Sequence, residues 1–95
     1  MMDMSGGELC NMATIVNQRG LHARAAAKFV KVASNFQAEV TVVKDEMRVS
    51  ARSIMGLMML AATRGSTIKI CGAGHDAASA VAALTELVAR KFDEE

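Results

Sequence analysis

Apolar positions along this chain recur with a period of two in some stretches and near 3.6 in others, and the switches mark its elements. Leu9 to Val16 is apolar and β-branched enough for a strand, with either face available as the inner one. Asn17-Gln18-Arg19-Gly20 punctuates it as a turn. Ala23 to Phe36 then reads as a helix: Ala23, Ala26, Ala27, Val30 and Ala33 share one face, and Phe29 and Phe36 widen it. Its alanines carry high helix propensity and let the backbone pack close to a sheet.

Alternation returns from Ala38 to Lys44, with Ala38, Val40 and Val42 inward and Glu39 and Thr41 outward. Met47 to Arg52 repeats it, with Met47, Val49 and Ala51 inward. Joined at Asp45-Glu46, the two runs predict an antiparallel hairpin whose turn lacks the usual glycine. Ser53 is placed to N-cap a short helix reaching about Ala62, closed by Arg64 and a C′ Gly65. Thr67 to Cys71 alternates again, with Ile68 and Ile70 buried. Asp76 predicts the N-cap of a last helix with an apolar stripe of Ala77, Ala80, Val81, Leu84, Leu87, Val88 and Phe92. The order is βαββαβα. One apolar face per strand and one stripe per helix predict an α+β open-faced sandwich, a four-stranded antiparallel sheet with three helices on one face.

Ninety-five residues, 52% of them hydrophobic, fit one domain over residues 8–95 behind a loose polar leader over residues 1–7. That leader has no Lys or Arg and no apolar core, unlike a signal peptide. No run approaches the roughly 18–20 apolar residues of a membrane span. A net charge of +1, with no Trp or Tyr and three Phe, speaks against nucleic-acid and membrane partners. The expectation is a cytoplasmic monomer. Cys10 and Cys71 are far apart and form no CxxC motif, so they are expected as reduced, buried small hydrophobes.

The chemistry concentrates at Arg19-Gly20-Leu21-His22-Ala23-Arg24, where a turn ends and a helix begins. A helix N-terminus offers unpartnered N–H groups and about half a positive charge. A phosphoryl group on His22 would lie against the amides of Ala23 and Arg24. Arg24 adds a planar cation able to donate two parallel bonds to phosphate, and a neutral imidazole nitrogen is nucleophilic near pH 7. From spacing alone, a polar surface histidine fits as well.

Gly20-Leu21-His22-Ala23-Arg24-Ala25-Ala26 resembles the active-site motif of the HPr phosphocarriers of the bacterial phosphoenolpyruvate-dependent phosphotransferase system (PTS). Arg52-Ser53-Ile54-Met55-Gly56-Leu57-Met58 resembles that family's second, serine-centred motif, at the family's spacing. The resemblance implies that His22 takes phosphate from enzyme I and gives it to enzyme IIA-type proteins, with Arg24 in support. The protein would then be a carrier and not an enzyme. It also implies regulation at Ser53 by an HPr kinase/phosphorylase. Ala25 stands where many members have proline, and the alanine-rich helix looks closer to the nitrogen-regulatory branch than to sugar-transport members.

Ser53 reads equally as a helix cap. Ile54, Met55 and Met58 crowd a helix too short to bury every side, which points to an adaptable docking patch beside His22. His75 reads as a solvent-facing residue. No His, Cys and carboxylate cluster has metal spacing, and neither metal nor cofactor is expected. Among rivals, a binding module acting through Ser53 alone leaves His22 and Arg24 idle. A small acylphosphatase-like enzyme needs a phosphate cradle and a water-orienting asparagine where this chain has a nucleophile. An RNA-binding βαββαβ domain needs strand aromatics that are missing.

Overall fold

The computed structural model describes residues 7–94. Its elements are β1 (Leu9–Thr14), α1 (Ala23–Ala33), β2 (Glu39–Lys44), β3 (Met47–Ser50), α2 (Ile54–Met59), β4 (Thr67–Ala73) and α3 (Ala77–Ala89). The expected leader lies, apart from Gly7, outside the described residues.

The four strands form one antiparallel sheet in the order β1-β4-β2-β3. Register follows burial: Ala13 faces Ile68, and Val42 faces Ile70, so the apolar sets fall on one side of the pleat. That side meets Phe29, Leu57, Leu84 and Leu87 of the three helices in a single core. The buried Ala13 and Ile15 settle which face of β1 points inward. The Asp45–Glu46 hairpin forms without glycine because Asp45 itself takes the positive φ, 54°.

Several local expectations shift. The buried face of α1 is Ala25, Ala26, Phe29 and Ala33, whereas Ala23 and Ala27 are exposed. In an alanine-rich helix the small side chains hardly distinguish neighbouring faces, and Phe29 decides the rotation. The helix also ends at Ala33, short of Phe36. Helix α2 stops at Met59, and Ala61, at φ 53°, takes the left-handed position expected of Gly65. Asp76 does not cap α3. Its carboxylate instead accepts the Gln37 N–H at 2.8 Å, tying the start of α3 to the end of the α1–β2 loop.

The cysteines differ most. Residues 10 and 71 face each other across β1 and β4, and the two sulfurs are bonded, with Cys10 exposed and Cys71 buried. Sequence separation of 61 hid a pair that the antiparallel register makes adjacent. Glu8 joins them, its carboxylate and both sulfurs lying within 4.8 Å of one another. Such a grouping was not anticipated, but sulfurs bonded to each other are not thiolate metal ligands.

What positions the site is the contact between the turn before α1 and the loop after α2. The Leu21 N–H donates to the Ala62 carbonyl at 2.9 Å. Gly20, at φ 67°, passes so close that a Cβ would lie 2.5 Å from that same oxygen. Neither the conformation nor the space admits another residue. Gly20→Ala is therefore expected to destabilise the protein by about 2 kcal/mol or more in urea denaturation. Unchanged stability would show that the turn relaxes freely.

Candidate functional site

His22 is the N-cap of α1, with extended backbone (φ −79°, ψ 179°) and a carbonyl that accepts the Ala26 N–H at 2.8 Å. That bond is the first rung of the helix. The amides of Ala23, Arg24 and Ala25 stand ahead of it at the positive end of the dipole, and the first turn holds no acidic residue. Leu21, just before, is buried and pins the approach from the core side. Arg24 is exposed and forms no hydrogen bond or ion pair with the described residues, which leaves its guanidinium free to reach an anion at His22.

The His22 side chain does not cap its own helix. Its Nε2 is joined to Oε2 of Glu94, 72 residues away. After α3 the chain reverses through Lys91, Phe92 and Asp93, all left-handed, at φ 62°, 56° and 62°. Each such residue costs roughly 1–2 kcal/mol, so the turn needs anchors. Phe92 is fully buried, and its carbonyl accepts from Lys28 Nζ at 3.0 Å. Arg90 Nε donates to Asp93 Oδ1 at 2.9 Å, and the Glu94 N–H donates to the Lys91 carbonyl at 2.9 Å. The heptad-like spacing predicts one apolar stripe running through Phe92. The structure separates Phe92 from α3 and uses it to aim Glu94.

Asn17, only 1% exposed, completes the arrangement. Its Nδ2 donates to the Gly20 carbonyl at 2.8 Å and to Glu94 Oε1 at 2.9 Å, linking the turn to the tail. The Glu94 carboxyl lies below the ordinary carboxyl range. Desolvation works against its ionisation, but the hydrogen bonds from Asn17 and His22 and the attraction of His22 and Arg19 outweigh it. It is a carboxylate at neutral pH, and it fixes the ring by accepting the Nε2 proton.

His22, Ala23 and Arg24 stand together at the head of α1 as the sequence suggests, whereas Glu94 and Asn17 join His22 without a sequence signal of their own. Asn17 was legible only as a turn residue, and nothing local marks Glu94 as a partner of His22. Around α2 the structure shows the expected cap and the expected exposed side chains. Ser53 Oγ accepts the Gly56 N–H at 2.9 Å, as a cap should. Leu57 and Leu60 are buried, while Ile54, Met55 and Met58 are 41%, 73% and 42% exposed and Met59 joins them at 65%. Helices α1 and α2 pack together, which puts this methionine surface and His22 on neighbouring helices. Lys28 holds the tail through the Phe92 carbonyl. His75 is exposed, with Asp76 its only near neighbour of opposite charge among the described residues.

Known proteins are similar to this chain in sequence and in fold. A family model described as the PTS HPr component phosphorylation site matches residues 10–90, a span that includes both His22 and Ser53. The chain is 48% identical over 87 residues to the phosphocarrier protein NPr of Shewanella violacea, covering 92% of this chain and 96% of that one. It is 51% identical over 80 residues to the phosphocarrier protein HPr of Neisseria meningitidis serogroup A, covering 84% and 90%. A crystal structure of HPr from Thermoanaerobacter tengcongensis superposes with a TM-score of 0.87 at 42% identity, covering 92% of this chain and 98% of that one. Motif, topology and overall match therefore agree, and this chain belongs to the HPr/NPr family of PTS phosphocarrier proteins.

Proposed function

We propose that His22 carries the phosphoryl group on Nδ1, receiving it from enzyme I and passing it to enzyme IIA-type proteins. The observation that supports this most is the hold of Glu94 on Nε2, which leaves Nδ1 as the ring nitrogen with a free lone pair. A bond from phosphorus to Nδ1 forms as the bond to the donor breaks. Because the ring proton sits on Nε2, no proton leaves Nδ1. The ring turns cationic while it gains the phosphoryl group, and the Glu94 carboxylate offsets that charge. The incoming oxygens meet the amides of Ala23 and Arg24 and the Arg24 guanidinium. Reversal at a second partner returns the ring to its starting state, so the protein is a covalent intermediate in a relay and not a catalyst.

Partner contact falls to Ile54, Met55 and Met58 on α2, exposed and flexible enough to fit more than one surface. Ser53, at the head of that helix, is the candidate for regulation by an HPr kinase/phosphorylase. The protein works as a cytoplasmic monomer. Between branches, the alanine-rich α1 and a relative named NPr that matches 92% of the chain favour nitrogen regulation over sugar transport.

Incubation with enzyme I and labelled phosphoenolpyruvate is expected to give an acid-labile, base-stable label that His22→Ala abolishes and His75→Ala leaves intact. Label persisting in His22→Ala defeats the proposal. In the same assay Arg24→Ala is expected to slow uptake by about 10–150-fold, the worth of one charge-assisted hydrogen bond realised in the transition state, with partial recovery in Arg24→Lys.

Ser53→Asp places a charge at the edge of an apolar contact, where its desolvation opposes docking. The expected result is a raised KM for enzyme I with kcat nearly unchanged, while Ser53→Ala transfers normally and loses about 0.5–2 kcal/mol of stability with its cap. Unaltered kinetics in Ser53→Asp would make the serine a cap alone.

A further inference from the structure

A cavity of about 360 Å³ opens beside the His22 site, between the Asn17–Gly20 turn and the C-terminal turn. Three cations line it, Arg19, Arg64 and Lys91, and none forms an ion pair among the described residues. Its one carboxylate, Glu94, is already engaged, one oxygen accepting from Asn17 and the other joined to His22. Asn17 lines the same cavity, and its Oδ1 is buried without a hydrogen-bond partner. Buried acceptors are rarely left in that state, and one that is points to a missing donor. The backbone adds its own anomaly, since Lys91 holds a left-handed conformation, φ 62°, that glycine would adopt more easily.

We propose that this cavity binds a small phosphate monoester carrying a hydroxyl group. The phosphate oxygens take the Arg19 and Arg64 guanidinium forks and the Lys91 ammonium, and the ligand hydroxyl donates to Asn17 Oδ1. Three cations set against one engaged carboxylate leave an excess of two positive charges, the charge of a monoester dianion. The size lies in the range of sites that enclose a small ligand. An acidic protein surface would meet the exposed cations equally well. It could not deliver a donor to an acceptor as deeply buried as Asn17 Oδ1, and this favours the small molecule. Because Glu94 forms the wall shared with His22, occupancy adds negative charge next to the phosphoryl acceptor. Binding itself does not depend on phosphoryl transfer, so it stands or fails separately from the function proposed for His22.

The test is a titration of the full chain at low ionic strength, followed by backbone and Asn side-chain amide shifts, with glycerol 3-phosphate, inorganic phosphate and malate as probes. Glycerol 3-phosphate is expected to shift the amides of Arg19, Arg64 and Lys91 and the Asn17 side chain saturably, and to bind more tightly than the other two. Arg64→Gln and Lys91→Gly are each expected to weaken it about tenfold or more. The glycine variant suits its backbone conformation and keeps the fold. Shifts confined to Ala23–Ala25 would place the anion at the helix terminus and overturn the proposal. So would unchanged affinity in the two variants, tighter binding of phosphate or malate, or shifts produced by an acidic peptide but by none of the three anions.

Discussion

The carbonyl of Ala62 accepts from Leu21 and leaves no room for a side chain at residue 20, and the rest of the site depends on that close approach. It fixes where the turn ends, and therefore where α1 starts and which residue becomes its N-cap. With His22 in that position, the free amides of the first turn and the positive end of the helix dipole fall beside the imidazole without any further device. The same contact ties the turn to the loop that follows α2. His22 and the methionine surface of α2 are thereby held in one frame, as the proposed transfer between docked partners would require. Leu21, buried in the core, makes the frame part of the hydrophobic structure and not a surface decoration.

A second constraint comes from the far end of the chain. Three successive left-handed residues form an expensive turn, and the burial of Phe92 with the bond from Lys28 offsets that cost. The turn directs one carboxylate at one imidazole nitrogen. In the role proposed for His22, a negative group would be counterproductive on the reacting nitrogen, and Glu94 holds the other one, Nε2. There it sets the tautomer and, in that role, would support the cationic ring formed when phosphorus bonds to Nδ1. From that one position Glu94 would serve both the resting and the phosphorylated protein of the proposal.

The order of elements and the single apolar face of the sheet were legible because alternation and helical stripes are local signals. His22, Ala23 and Arg24 were legible because a turn-to-helix junction can be read from a few adjacent residues. The Ser53 cap was legible for the same reason, as was the exposed side of α2. What escaped was non-local or degenerate. Glu94 reaches His22 only through a turn built from non-glycine residues, which no propensity scale anticipates. Cys10 and Cys71 needed strand register before they became neighbours. Alanines on adjacent faces look alike and leave the rotation of α1 undetermined by pattern, and the Asp76 carboxylate goes to a loop 39 residues earlier instead of capping α3.

Central to this account is the division of the imidazole, with Nε2 given to Glu94 and Nδ1 to phosphorus. Phosphorylating the histidine-¹⁵N-labelled protein and recording its long-range ¹H–¹⁵N correlation spectrum tests that division directly, because the two phosphohistidine isomers give different nitrogen shift patterns. The account predicts a single Nδ1-phosphorylated ring, that of His22, with the proton retained on Nε2. A phosphoryl group on Nε2 of His22, or on His75, would contradict it.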